Sequence, residues 1–135
     1  MKRIAFAILL AAPPFVPVVA EAAPAAQPIP TRTVVMQDRK FHPQVIRLRK
    51  DVPTRIVLVN RDMSGHNFSA KGFFSRADVR DEGAGSQAIR EGIITVRSES
   101  TRSFVVTPRV RGPFDLTSSV ALDVASGMQG QILVY

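Results

Sequence analysis

The chain has 135 residues, 45% of them apolar, and 18 lysines and arginines against 11 acidic groups, for a formal net charge of +7. That length holds one domain with a core of ordinary size, and the complete lack of cysteine excludes disulfides, thiolate chemistry, cysteine-bound zinc and iron–sulfur clusters. The basic excess is mostly arginine scattered along the chain, which reads as solvated strand faces and not as a nucleic-acid stripe; any attraction to anionic lipid or polymer would be unspecific.

Lys2 and Arg3 precede an apolar run from Ile4 to Ala12, and Ala20-Glu21-Ala22 offers small residues at the spacing a signal peptidase needs, so residues 1–22 are expected to be an export signal. Pro13, Pro14 and Pro17 break the run well short of the ~20 residues a membrane span requires. A periplasmic or secreted protein with no transmembrane segment after cleavage is the expectation. Residues 23–30, rich in alanine and proline, read as a disordered linker, and the domain is expected over 31–135.

Thr31 to Gln37 carries Val34, Val35 and Met36 and predicts a first strand; Asp38 to Pro43 predicts a turn anchored by Phe41. Val45 to Arg49 alternates, with Ile46 and Leu48 inward and the arginines in water. Ile56 to Asn60, apolar on both faces, reads as a central strand covered on both sides. A polar turn from Arg61 leads past His66 into a short strand. Phe73 to Arg80 predicts one or two helical turns, followed by a glycine-rich stretch to Gly85. Strands are expected over 92–96 and 102–107, joined through Ser98-Glu99-Ser100-Thr101 as a hairpin. Phe114 and Leu116 alternate with Asp115 and Thr117, and Ile132 and Val134 share a face of the terminal strand. Between them runs a loop ending in Gly127-Met128-Gln129-Gly130, where two glycines hold a thioether that serves either a metal or the end of a core. The fold class is all-β: a small antiparallel Greek-key sandwich or barrel, with a short helical or loop excursion near 73–92.

The order of these features, Phe41-x-Pro43-x-x-Ile46-x-Leu48, then Val57-Leu58-Val59-Asn60 with His66-Asn67-Phe68, then Phe114 and Gly127-Met128-x-Gly130-x-Ile132-x-Val134, resembles the cupredoxins across the whole domain. The resemblance implies a β-sandwich holding one copper near one end through a histidine after the central strand and a Cys, His, Met set in the last loop. His66 falls on the first histidine and Met128 on the methionine. Ser118 occupies the position of the cysteine, and Asp123 stands where a second histidine would fall. The other histidine, His42, lies in a turn where the family has no ligand.

Blue copper chemistry needs a thiolate and two imidazoles, with methionine as a weak axial ligand. A serine hydroxyl cannot replace the thiolate, so electron transfer of the blue type is not expected and no cofactor is expected. The metal candidates that remain are His66, Met128, Asp123 and Met63, and a copper site of low affinity built from them is the alternative. Each also has a plain role: His66 as a hydrogen-bonding group that closes the sandwich, Met128 as a packing plug, Asp123 as a solvated loop residue or turn-forming side chain and Met63 as a partly exposed, idle side chain. A Ser118, His66, Asp123 set can be named, yet no nucleophile elbow surrounds the serine and no oxyanion hole is legible, so the chain is not expected to be an enzyme. The expectation is a monomeric binding or structural module whose degenerate site end meets an unknown protein or small partner in the cell envelope, without nucleic acid.

Overall fold

A computed structural model describes residues 25–82 and 92–135. The expected export signal, the first residues of the linker and most of the glycine-rich stretch before Gly85 lie outside the described residues. Those described form ten strands and two short helices: β1 (Thr31–Gln37), β2 (Lys40–His42), β3 (Val45–Leu48), β4 (Thr54–Asn60), β5 (His66–Ser69), α1 (Lys71–Phe74), β6 (Ala77–Asp81), β7 (Ile93–Val96), β8 (Thr101–Pro108), β9 (Gly112–Thr117), α2 (Ala121–Ala125) and β10 (Gln129–Val134). One five-stranded sheet runs β2-β1-β4-β8-β6 and the other β3-β10-β9-β5-β7.

Alternation decides which side chains enter the space between the sheets. Val34 and Met36 of β1, Ile46 and Leu48 of β3, Ile56 and Leu58 of β4, and Ile132 and Val134 of β10 are all buried. Phe68 of β5 packs edge-on against Phe41, Phe74 and Phe104, with centroids 6.0, 6.2 and 6.2 Å away. Each such ring contributes about 1.5–3 kcal/mol by leaving water, and the edge-on geometry adds to it. In a chain without disulfides this interior is the main source of stability.

The structure corrects the sequence reading in five places. β1 pairs with β4, and β3 with β10, in parallel, so the sheets are mixed and not purely antiparallel. Lys40–His42 is a strand, because the two-residue turn at Asp38 and Arg39, with φ of 54° and 52°, folds β2 straight back onto β1. The helix near 73 ends at Phe74, and Ala77–Asp81 forms an edge strand instead; Ala77, Val79 and Asp81 are half-buried while Asp78 and Arg80 are exposed, a period of two. The expected hairpin at 98–101 is absent, since β7 pairs with β5 in one sheet and β8 with β4 in the other. Finally, the outer residues Val57 and Val59 of β4 are only half-buried, so that strand is central in its sheet yet covered fully on one face alone.

Candidate functional site

β1 and β4 run parallel and end on the same rim, where the 38–39 turn and the 61–65, 97–100 and 118–128 loops meet. Asn60, buried at the end of β4, organises the rim. Its Nδ2 donates to the Ser64 carbonyl at 2.8 Å and the Arg97 carbonyl at 3.0 Å, and its Oδ1 accepts from the Asp62 N–H at 2.9 Å. One side chain thereby holds the loop after β4 and the crossing after β7 together.

His66 opens β5 and is completely buried. Its Nδ1 lies 2.7 Å from Asp123 Oδ2 and its Nε2 lies 2.8 Å from Asp62 Oδ2. The imidazole therefore bridges two carboxylates, making both hydrogen bonds when it carries a proton on each nitrogen. Asp123, 1% exposed on the short helix α2, also accepts from Ser118 Oγ at 2.6 Å, and Arg39 Nε stands 4.0 Å from its other oxygen. Ser118 Oγ in turn accepts from the Asn67 and Val120 N–H groups at 3.4 and 3.3 Å. No buried side-chain nitrogen or oxygen among the described residues lacks a partner.

Asp62 serves as the outer anchor. Burial raises its pKa, but the N–H groups of Arg39 and Asp38, donating at 3.0 and 2.9 Å, together with His66 outweigh that and hold its carboxyl below the usual range. Both donors belong to residues in the left-handed region, a conformation that costs non-glycine residues of order 1 kcal/mol or more each. The carboxylate offsets that cost and ties the β1–β2 turn to His66.

The donor set does not fit a blue copper centre. The position assigned to cysteine by the resemblance holds a buried hydroxyl already bonded to Asp123, and both His66 nitrogens face carboxylates on opposite sides of the ring, so those carboxylates do not converge with it on one point. Among the described residues no group of three histidine or acidic side chains is arranged to hold a metal. Nor does a catalytic triad form: Ser118 donates to Asp123, whereas a nucleophile would donate to the imidazole.

The four sequence-derived metal candidates separate in space. His66 and Asp123 meet directly. Met128 is buried in the apolar core cluster, its N–H donating to the Asp123 carbonyl at 2.9 Å. Met63 is 90% exposed, on the wall of a concavity of about 540 Å³ shared with Asp38, Arg39, Asp62 and Ser64. His42 is exposed on β2, on a strand where a turn was expected. Of the two glycines around Met128, Gly127 adopts a φ of 70°, whereas Gly130 is needed for close approach: a Cβ there would lie 2.5 Å from the Gln44 carbonyl oxygen. Asp62 and Asn60 were missed from the sequence. The acid four residues before His66 was the available signal for the first; nothing local marks the second.

Around the buried network the rim exposes apolar side chains among its charges. Leu122 and Val124, on either side of Asp123 in α2, are 61% and 62% exposed. No helix among the described residues is long and apolar enough to cross a membrane.

No protein-family model matches the sequence, and no curated protein matches it. Solved structures do resemble it in shape. Auracyanin B superposes with a TM-score of 0.57 at 13% identity, covering 82% of this chain and 92% of its own. A dithionite-reduced auracyanin from Roseiflexus castenholzii superposes at 0.54 with 14% identity, covering 78% and 96%. A reduced amicyanin mutant reaches only 0.48. At such identities the likeness speaks to shape alone, and together with the two mixed sheets and the loops gathered over His66 it identifies the architecture as the cupredoxin β-sandwich.

Proposed function

We propose that this is an exported, non-enzymatic binding module on a cupredoxin scaffold, with a hydrogen-bonded plug where a copper site would stand and the surrounding rim as the surface that meets a partner in the cell envelope. The observation that carries the reading is the engagement of both His66 nitrogens by Asp123 and Asp62. A copper ion would have to break a buried carboxylate bond to reach the ring, and no thiolate compensates for that loss. The exposed Leu122 and Val124 of α2 support a contact surface, since apolar side chains held in water favour association.

Copper titration by calorimetry in a non-chelating buffer tests the reading. No one-to-one site and no intense charge-transfer band on adding Cu(II) are expected. A stoichiometric site that disappears in His66→Ala would establish instead the weak copper carrier using His66, Met128 and Asp123 or Met63. A photoreactive residue placed at Leu122 gives a discrete envelope adduct if the rim is the contact surface; the same residue placed at Thr95, on the exposed face of β7, gives none.

A further inference from the structure

The end of the sandwich opposite His66 has a different character. There the 49–53 and 109–111 loops lie beside the last residue of β10, with the Lys50 N–H on the Tyr135 carbonyl at 2.9 Å and the Asp51 N–H on the Pro108 carbonyl at 2.8 Å. Two side-chain carboxylates at this end, Asp51 and Asp78, are both taken by Arg109, and Lys50 adds a second contact to Asp51 at 3.3 Å. Arg47, Arg49 and Arg111 are exposed and form no ion pair among the described residues, and beside them Val110 and Tyr135 are 44% and 49% exposed. The His66 rim, by contrast, carries both signs, with Asp38, Asp62 and Glu99 beside Arg39, Arg61 and Arg97, although Arg61 and Arg97 likewise form no ion pair among the described residues.

We propose that this cationic end docks on an anionic phospholipid surface and so holds the His66 rim away from the membrane. Arginines interspersed with a tyrosine and a valine suit a headgroup layer, where cations meet phosphates and an amphipathic ring sits at the boundary. The Pro30 carbonyl accepts the Arg55 N–H at 2.8 Å at the start of β4, so β1 begins at this end as well. The inference does not depend on what the rim binds.

The test is sedimentation of the full chain with vesicles of phosphatidylcholine alone or mixed with phosphatidylglycerol, at low salt. Binding to the mixed vesicles should fall on the order of 100-fold in the triple variant Arg47→Gln, Arg49→Gln, Arg111→Gln, since each cation near an anionic surface contributes about 1 kcal/mol. The triple variant Lys40→Gln, Arg61→Gln, Arg97→Gln carries the same change in net charge on the opposite end and should bind as the parent does. Equal losses in the two variants would reduce the effect to net charge and overturn the proposal. Equal binding to neutral and anionic vesicles, insensitive to either variant, would trace it to the N-terminal apolar run and overturn it too. Retention on heparin without vesicle binding would assign the face to an acidic polymer instead.

Discussion

At the His66 end, a fully buried imidazole lies between two carboxylates and no buried side-chain nitrogen or oxygen among the described residues lacks a partner; at the opposite end Arg49 and Arg111 are exposed and form no ion pair among the described residues. The same kinds of charged side chain therefore do two jobs. Buried ones are held by their partners and govern whether the rim folds, because an unpaired charge out of water is expensive. Exposed ones contribute little to stability and remain available to a surface of opposite sign.

The contrast should break most visibly at Asp123. Replacing it with alanine strands His66 Nδ1 and Ser118 Oγ in the interior, and urea unfolding should show a loss of about 3–5 kcal/mol. Replacing Ser118, His66 and Asp123 together by apolar residues of similar volume should recover much of that loss, since a well-packed apolar substitute is often as stable as a buried ion pair. A cost for Asp123→Ala below about 1 kcal/mol would mean the network is not what holds the rim.

Gly130 offers a second, smaller test, by sterics instead of charge. Gly130→Ala drives a Cβ into the Gln44 carbonyl, and a cost of about 1–3 kcal/mol is expected from the same urea measurement.

Asp62 sharpens the comparison through pH. Its folded-state pKa lies below the ordinary value of 3.8, so the stability it contributes is present in full above that value and is lost as pH falls through the folded pKa. Asp62→Asn should cost about 1–2 kcal/mol near neutral pH. That difference from the parent should shrink as the pH is taken below 3.8; a gap that widens in acid would contradict the assignment.

Smallest of all are the surface changes. Val124→Ser should move stability by no more than about 0.5 kcal/mol while weakening the crosslink from the photoreactive residue at position 122. Arg49→Gln and Arg111→Gln should leave the urea midpoint in place and alter only vesicle binding.

Much of the fold was legible because strand periodicity is a local property. Thr31–Gln37 emerges as β1 with the bounds expected, Ile46 and Leu48 face inward, and Phe41 is a buried anchor. What failed depended on partners far along the chain. Whether Ser98 to Thr101 closes a hairpin or crosses between sheets is decided by Val96 pairing with His66 and Thr101 with Val59. At the site, the resemblance brought His66, Ser118, Asp123 and Met128 to one end of the sandwich, but not their bonds. The spacing between His66 and Asp123 carried no sign that they meet at 2.7 Å, and Met63, three residues from His66, turns outward.

The sequence by itself determined the apolar alternation of the sandwich and the lack of any thiolate, because composition and period are properties of the chain alone. Only the tertiary structure decided that Asp62 and Asp123 clasp opposite sides of one imidazole, that Arg49 and Arg111 share the far end, and that Gly130 must lack a side chain beneath the Gln44 carbonyl. Hydrogen bonds and surface fields depend on distances in space, and those are set by how ten short strands are stacked and crossed.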